Sequence, residues 1–216
     1  YRAEKLSAFV HAMLALDENA KSIYAEIKDK YPIVLTRNME KAKAWLHSKV
    51  RGSERTGVLI SKESARYKPL GIHVLLSDDE KAVHWFLDDK KDTRSSNYLE
   101  DAATEIQVQG LELDYTCLLW DADMRYENGE WRFYRFNGQT KWVEQTPTSE
   151  SKQDLMKYML NAYRVLLTRA RAGMVICVPE GNGNKNPSGF WEDSTRLPEY
   201  YDGTYQYLKS LGIEEI

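Results

Sequence analysis

Apolar positions along this chain follow two rhythms. Leu6, Phe9, Val10, Met13 and Leu14 recur at intervals of three and four, which puts them on one face of a helix over residues 3–16. A more polar helix is predicted over 18–29. Short apolar runs then alternate with helical patterns. Pro32-Ile-Val-Leu-Thr36 reads as a buried strand, and a helix over 39–50 turns Ala42, Trp45 and Leu46 inward. Thr56-Gly-Val-Leu-Ile-Ser61 and residues 72–76 are further strand candidates. Ser77-Asp-Asp-Glu80 has the spacing of a capping box and introduces a short helix carrying Val83, Trp85, Phe86 and Leu87. Residues 90–97 are polar and read as a loop.

The strongest strand is 114–120, Asp-Tyr-Thr-Cys-Leu-Leu-Trp, apolar on both faces as a central parallel strand requires. Beyond it the pattern changes. Asn128-Gly129 and Asn137-Gly138 are hairpin turn pairs flanking Trp131-Arg-Phe-Tyr-Arg-Phe136. They predict a small antiparallel insertion over about 121–146. The longest helix is expected over 150–171, with Leu155, Met159, Tyr163, Leu166 and Leu167 on one face. Gly173 is read as its stop, and Met174–Val178 as a strand leading out. Residues 180–198 have loop composition, and a last helix is expected over 203–211. The alternation predicts one α/β domain spanning 1–216: a mainly parallel sheet with helices on both faces, a hairpin insertion and a C-terminal extension over about 180–216.

The 216 residues suffice to bury a core without staples. Thirty basic against 33 acidic residues give a net charge of −3, so any contact with a phosphate backbone needs a local patch. Cys117 and Cys177 lie inside apolar runs and read as strand thiols in a reducing, cytoplasmic setting. No apolar stretch is long enough for a membrane span, and the first residues show no signal-peptide pattern. Without an initiator methionine, the chain is expected to start inside a longer protein.

Among chemistry-bearing motifs, G-x-x-x-x-G-K-[ST] is missing, and Gly181-Asn-Gly-Asn-Lys185 lacks both the spacing and the strand-to-helix context of a phosphate cradle. The four histidines are scattered, so no zinc site is expected. Four other strings carry more. Thr104-Glu-Ile-Gln-Val-Gln-Gly-Leu-Glu-Leu-Asp114 runs straight into the strong strand. Its Gly110 lets the backbone approach a nucleotide closely, and Glu112 can accept from ribose hydroxyls. Tyr163-Arg-Val-Leu-Leu-Thr-Arg-Ala-Arg171 ends the long helix, where a guanidinium can answer charge on a transferring phosphoryl group. Arg164 and Arg171 fit a solvated helix end favoured by the helix dipole. Ile33-Val-Leu-Thr-Arg-Asn38 is a strand–Arg–x–Asn step, and Tyr1-Arg2 is an aromatic–Arg pair.

In this order and context the strings resemble motifs V, VI, IVa and IV of superfamily 1 helicases, in the second of their two RecA-like lobes. Arg94–Thr104, Trp120-Asp-Ala-Asp123 and Tyr201–Leu208 narrow the resemblance. They are similar to a bacterial helicase-like family of uncharacterised function, related to the C-terminal helicase region of Schlafen proteins; some of its members are fused to an N-terminal nuclease domain. The resemblance implies a RecA-like fold and a helicase or translocase powered by ATP and Mg²⁺, with the chain here inactive alone. It implies an arginine finger at Arg169 and ATP contacts from Arg2, Arg37, Gln109, Gly110, Glu112 and Arg169. The phosphate loop and metal ligands would belong to a missing N-terminal RecA-like lobe, and the partner would be DNA or RNA, single-stranded. Gln109 stands where Rep-like helicases carry lysine, which counts against a Rep-like mechanism.

For the nucleic acid, Thr104 and Thr168 are candidates from the motifs. Arg132, Arg135, Lys141 and Trp142 form a basic–aromatic hairpin face that could clamp a single strand or lie solvated and half-buried. Asp121 and Asp123 at a strand end are read as a sheet-end feature, since no third carboxylate is placed to complete a metal site; a metal nuclease built on them is the contrasting reading. A non-catalytic helicase-like scaffold is the other alternative, told apart by the state of the upstream phosphate loop.

Overall fold

The computed structural model describes residues 2–64, 66–75, 79–138 and 141–216, with side chains for all of these except Arg2, Pro69 and Asp79. Two helices, α1 (Arg2–Leu14) and α2 (Ala20–Ile27), lead into β1 (Ile33–Thr36) and α3 (Met39–Lys49). Then come β2 (Thr56–Ile60), β3 (His73–Val74), α4 (Asp79–Leu87), β4 (Asp101–Thr104) and β5 (Leu113–Leu119). The hairpin strands are β6 (Met124–Glu127), β7 (Glu130–Phe136) and β8 (Trp142–Gln145). After them run α5 (Glu150–Leu167), β9 (Ala170–Cys177), α6 (Glu199–Ser210) and β10 (Glu214–Glu215). The capping box proposed at Ser77–Glu80 falls largely outside the described residues.

Seven strands form one sheet in the order β10-β1-β9-β5-β2-β4-β3, with every neighbouring pair parallel. β6, β7 and β8 form a separate antiparallel sheet. This is the α/β, RecA-like architecture expected from the alternation of helices and apolar runs.

The pleat explains how the sheet is covered. Ile33 and Leu35 belong to one buried cluster and Val34 to another; Leu59 is likewise split from Val58 and Ile60. Successive side chains point to opposite faces, so both faces need cover. On one face lie α1, α2, α5 and α6, through Phe9, Tyr24, Tyr163 and Tyr201. On the other lie Ala42 and Leu46 of α3 with Tyr67, Ile72 and Leu99 from the irregular segments. The hairpin sheet joins the first cluster through Met124 and Phe133.

Two boundaries differ from expectation for physical reasons. The long helix ends at Leu167, not 171: Thr168 is its C-cap, and its hydroxyl donates to the Arg164 and Val165 carbonyls at 2.9 and 3.0 Å. Gly173 is therefore no helix stop. It lies inside β9, where a Cβ would sit 2.8 Å from the Pro32 carbonyl oxygen.

Candidate functional site

The parallel sheet has two edges, one at the strand starts and one at the strand ends. β5 spans seven residues, roughly 20 Å at about 3.3 Å per residue. Residues at opposite edges therefore cannot share one small ligand.

At the strand starts the Leu113 N–H donates to the Arg169 carbonyl at 3.0 Å, and Leu113 pairs with Ala170 in register. This single contact brings the two motifs that precede β5 and β9 together. Gly110 turns with φ +81°, a conformation that favours glycine, and nothing lies within 4 Å of where its Cβ would be. Gln109 and Gly110 are exposed on that turn. Glu112, two residues on, lines a cleft of about 630 Å³ with Ser7, Tyr31, Thr168 and Arg169. Arg164 and Arg171 line the same cleft. The motif strings implied that the Gly110–Glu112 turn and Arg169 lie side by side, and the register between β5 and β9 sets them at one edge of the sheet.

The cations of this cleft are held differently. Arg171 pairs with Asp114 at 3.1 Å, and Asp114 also accepts the Arg55 N–H at 2.8 Å. Arg164 donates to Asn161, while its Nε is buried without a partner. Arg169 folds back on its own helix end, donating to the Val165 carbonyl at 3.1 Å and the Thr168 hydroxyl at 3.3 Å. Both acceptors are neutral, so its charge is not cancelled by a carboxylate among the described residues. Chemically, Arg164 and Arg169, neither paired with a carboxylate among the described residues, beside Glu112 form a surface suited to a polyanion with a hydroxyl-bearing end.

The other expected site residues lie elsewhere. Arg37 follows β1 and so stands at the strand ends. It donates to the Val178 and Pro179 carbonyls at 3.2 and 2.9 Å, pairs with Asp202 at 2.7 Å and stacks on Tyr205. It ties the C-terminal segment down and is remote from Arg169, which separates it from the expected ATP set. The side chain of Arg2 lies outside the described residues, as does Tyr1. Thr104 is buried at the end of β4, with its N–H and hydroxyl both donated to the Gln107 side chain at 2.7 and 2.6 Å. No donor remains there for a strand. Thr168 sits at the opposite edge from Thr104, in the arginine cleft.

On the hairpin's basic face both arginines are paired, while Lys141 is exposed. Arg132 pairs with Glu130 and Glu144 at 3.2 and 3.3 Å, and Arg135 with Glu63 at 3.0 Å. Trp142 is half-buried, edge-on to Phe136, with its indole N–H donating to the Thr195 carbonyl at 2.9 Å. Of the two open readings, this arrangement favours the packed hairpin over the strand clamp.

Asp121 and Asp123 are fully buried at the end of β5. Tyr201 donates to Asp121 at 3.0 Å and Tyr163 to Asp123 at 2.6 Å. Burial, then the neighbouring Asp121 charge, pushes the Asp123 carboxyl up to about 7, and its Oδ2 has no partner. Among the described residues no group of three or more His, Cys, Asp or Glu is placed to hold a metal ion. The pair is a buried acid junction between sheet, hairpin, α5 and α6.

A family model for the Schlafen group 3 DNA/RNA helicase domain matches residues 1–180. The chain belongs to that family. No curated protein and no solved structure matches it significantly. The matched span of this Schlafen group 3 helicase domain ends three residues after β9, so it takes in both motifs at the arginine cleft. α6 and β10 lie beyond the matched span. No helix among the described residues is long and apolar enough to cross a membrane.

Proposed function

We propose that this domain is the second RecA-like lobe of a superfamily 1 type, ATP-dependent helicase or translocase, and that its arginine cleft is half of an ATP site. The observation that carries the reading is the Leu113–Arg169 backbone hydrogen bond, which sets Glu112 and Arg169 side by side. In this reading Arg169 swings from its neutral acceptors to the transferring phosphoryl group, Glu112 accepts from the ribose, and Gly110 admits the nucleotide's approach. In this reading an upstream lobe supplies the phosphate loop and the Mg²⁺ ligands; the sequence has no G-x-x-x-x-G-K-[ST] string, and the described residues hold no group of three or more His, Cys, Asp or Glu placed for a metal ion. Closure of the two lobes around ATP then moves a strand of DNA or RNA.

The test uses the intact protein with its upstream lobe. Arginine fingers contribute about 10³–10⁵ in turnover. Arg169→Ala is expected to lose ATP turnover on that scale while its melting temperature stays within a degree or two, since the side chain's own contacts are weak and half-exposed. Unchanged turnover would remove the assignment.

A further inference from the structure

A second cleft, of about 650 Å³, opens beside the edge strand β3 and the loop that leaves β2. It lies on the far side of β2 and β4 from the arginine cleft and shares no lining residue with it. Lys62 and Lys68 line it, both exposed. The Lys62 ammonium sits 4.8 Å from the centre of the Tyr158 ring, and the Lys68 side chain has no partner among the described residues. Ser64 also lines the cleft, and its Oγ is buried without a hydrogen-bond partner. Phe136 lines it too; the Arg66 guanidinium lies over its ring at 5.5 Å and Trp142 packs edge-on to it, which leaves the remaining ring surface for a ligand.

Two carboxylates line the cleft as well. Glu63 is paired with Arg135 at 3.0 Å. Asp101 stands next to His73 in register, and burial, with Glu100 nearby, raises its carboxyl against the opposing pull of Lys81. Lys62, Lys68 and Lys81 line the cleft against these two carboxylates, so positive charge is in excess. Positive charge, an aromatic ring and an unsatisfied hydroxyl within one concavity match an anion that carries a flat apolar group.

We propose that this cleft binds a nucleotide unit, its base against Phe136 and its phosphate between Lys62 and Lys68, with the Ser64 hydroxyl donating to a phosphate oxygen. The unit comes either from a single strand or from a free nucleotide, and the chemistry is the same. The inference rests on this cleft alone and stands whether or not the arginine cleft completes an ATP site.

The test compares the wild-type chain with Lys62→Gln/Lys68→Gln. Both lysines are exposed, so the fold should be kept. One arm measures a fluorescein-labelled oligothymidylate by anisotropy against salt; the other measures thymidine monophosphate by saturation-transfer NMR. If the unit belongs to a strand, the double variant weakens oligothymidylate binding by about tenfold and lowers the salt slope by about 0.7, the value for one phosphate contact. If it is a free nucleotide, the loss falls on the monophosphate arm. Phe136→Ala should weaken the same arm by about fivefold or more through lost stacking. Lys21→Gln, exposed on α2 and lining neither cleft, should change neither arm. Unchanged binding by the double variant in both arms, or an equal loss in Lys21→Gln, overturns the proposal.

Discussion

Asp123→Asn should flatten the pH dependence of this domain's stability. Asp123 is buried, and burial together with the Asp121 charge raises its carboxyl from 3.8 to about 7. A group whose folded value lies above its unfolded value contributes stability that is whole below the unfolded value and is lost as pH rises through the folded one. The loss therefore begins near pH 4 and levels off just above pH 7. Its ceiling is about 4 kcal/mol, from roughly 1.4 kcal/mol per tenfold change in proton affinity. Between pH 5.5 and pH 8 the wild type should lose about 2 kcal/mol that the asparagine variant keeps. Asparagine copies the protonated acid in shape and still accepts from Tyr163, so at pH 5.5 the two should have similar stability. Urea unfolding of both proteins at the two pH values isolates the effect, since every other titrating group is common to both. In thermal melts the same difference is a relative gain of about 4–8 °C for the variant at pH 8. Parallel pH curves for the two proteins would refute the reasoning and place the ionised form of Asp123 in the folded state.

Two further substitutions test the packing. Gly173→Ala should destabilise by about 1–3 kcal/mol in urea melts, because its Cβ meets the Pro32 oxygen at 2.8 Å and that oxygen already accepts from Met174; a neutral result would mean the β1–β9 contact has slack. Gln107→Ala should cost about 1–3 kcal/mol by stranding the Thr104 N–H and the Leu75 carbonyl that the glutamine bridges; an unchanged midpoint would show that water replaces the amide without loss.

The central strands were legible because burial on two faces demands continuous apolar runs, and β1, β2, β5 and β9 have them. β4 was not legible. Asp101-Ala-Ala-Thr104 has little apolar mass of its own, yet Ala102 and Ala103 are fully buried because β2 and β3 flank them and larger side chains cover both faces. β10 was hidden for a related reason: Glu214 and Glu215 are exposed, and the strand forms through backbone pairing with β1. Motif strings predicted that Glu112 and Arg169 belong to one site, but strings carry no edge information. Arg37 and Thr104 were grouped by role with residues at the strand starts, whereas Arg37 follows β1 and Thr104 ends β4, so both emerge at the other edge of the sheet. Gln107, which fixes Thr104, looked like one polar residue among several in that stretch.

The segment from Thr104 to Glu112 gives the two clefts a physical link. At one end Gln107 ties Thr104 to the Leu75 carbonyl, and Leu75 lines the lysine cleft. At the other end Glu112 lines the arginine cleft. Between them Val108 is buried, its N–H donates to the Thr104 carbonyl at 3.2 Å and its carbonyl accepts from Leu111 at 3.1 Å, while Gln109, Gly110 and Leu111 are exposed. Glu105 reinforces the fixed end, accepting from the Lys62 N–H at 2.9 Å and the Tyr158 hydroxyl at 3.0 Å. Tyr158 lies on α5, the helix that ends at Leu167 two residues before Arg169, so the loop bearing Lys62 is joined to the arginine cleft by a route that does not pass through Gly110.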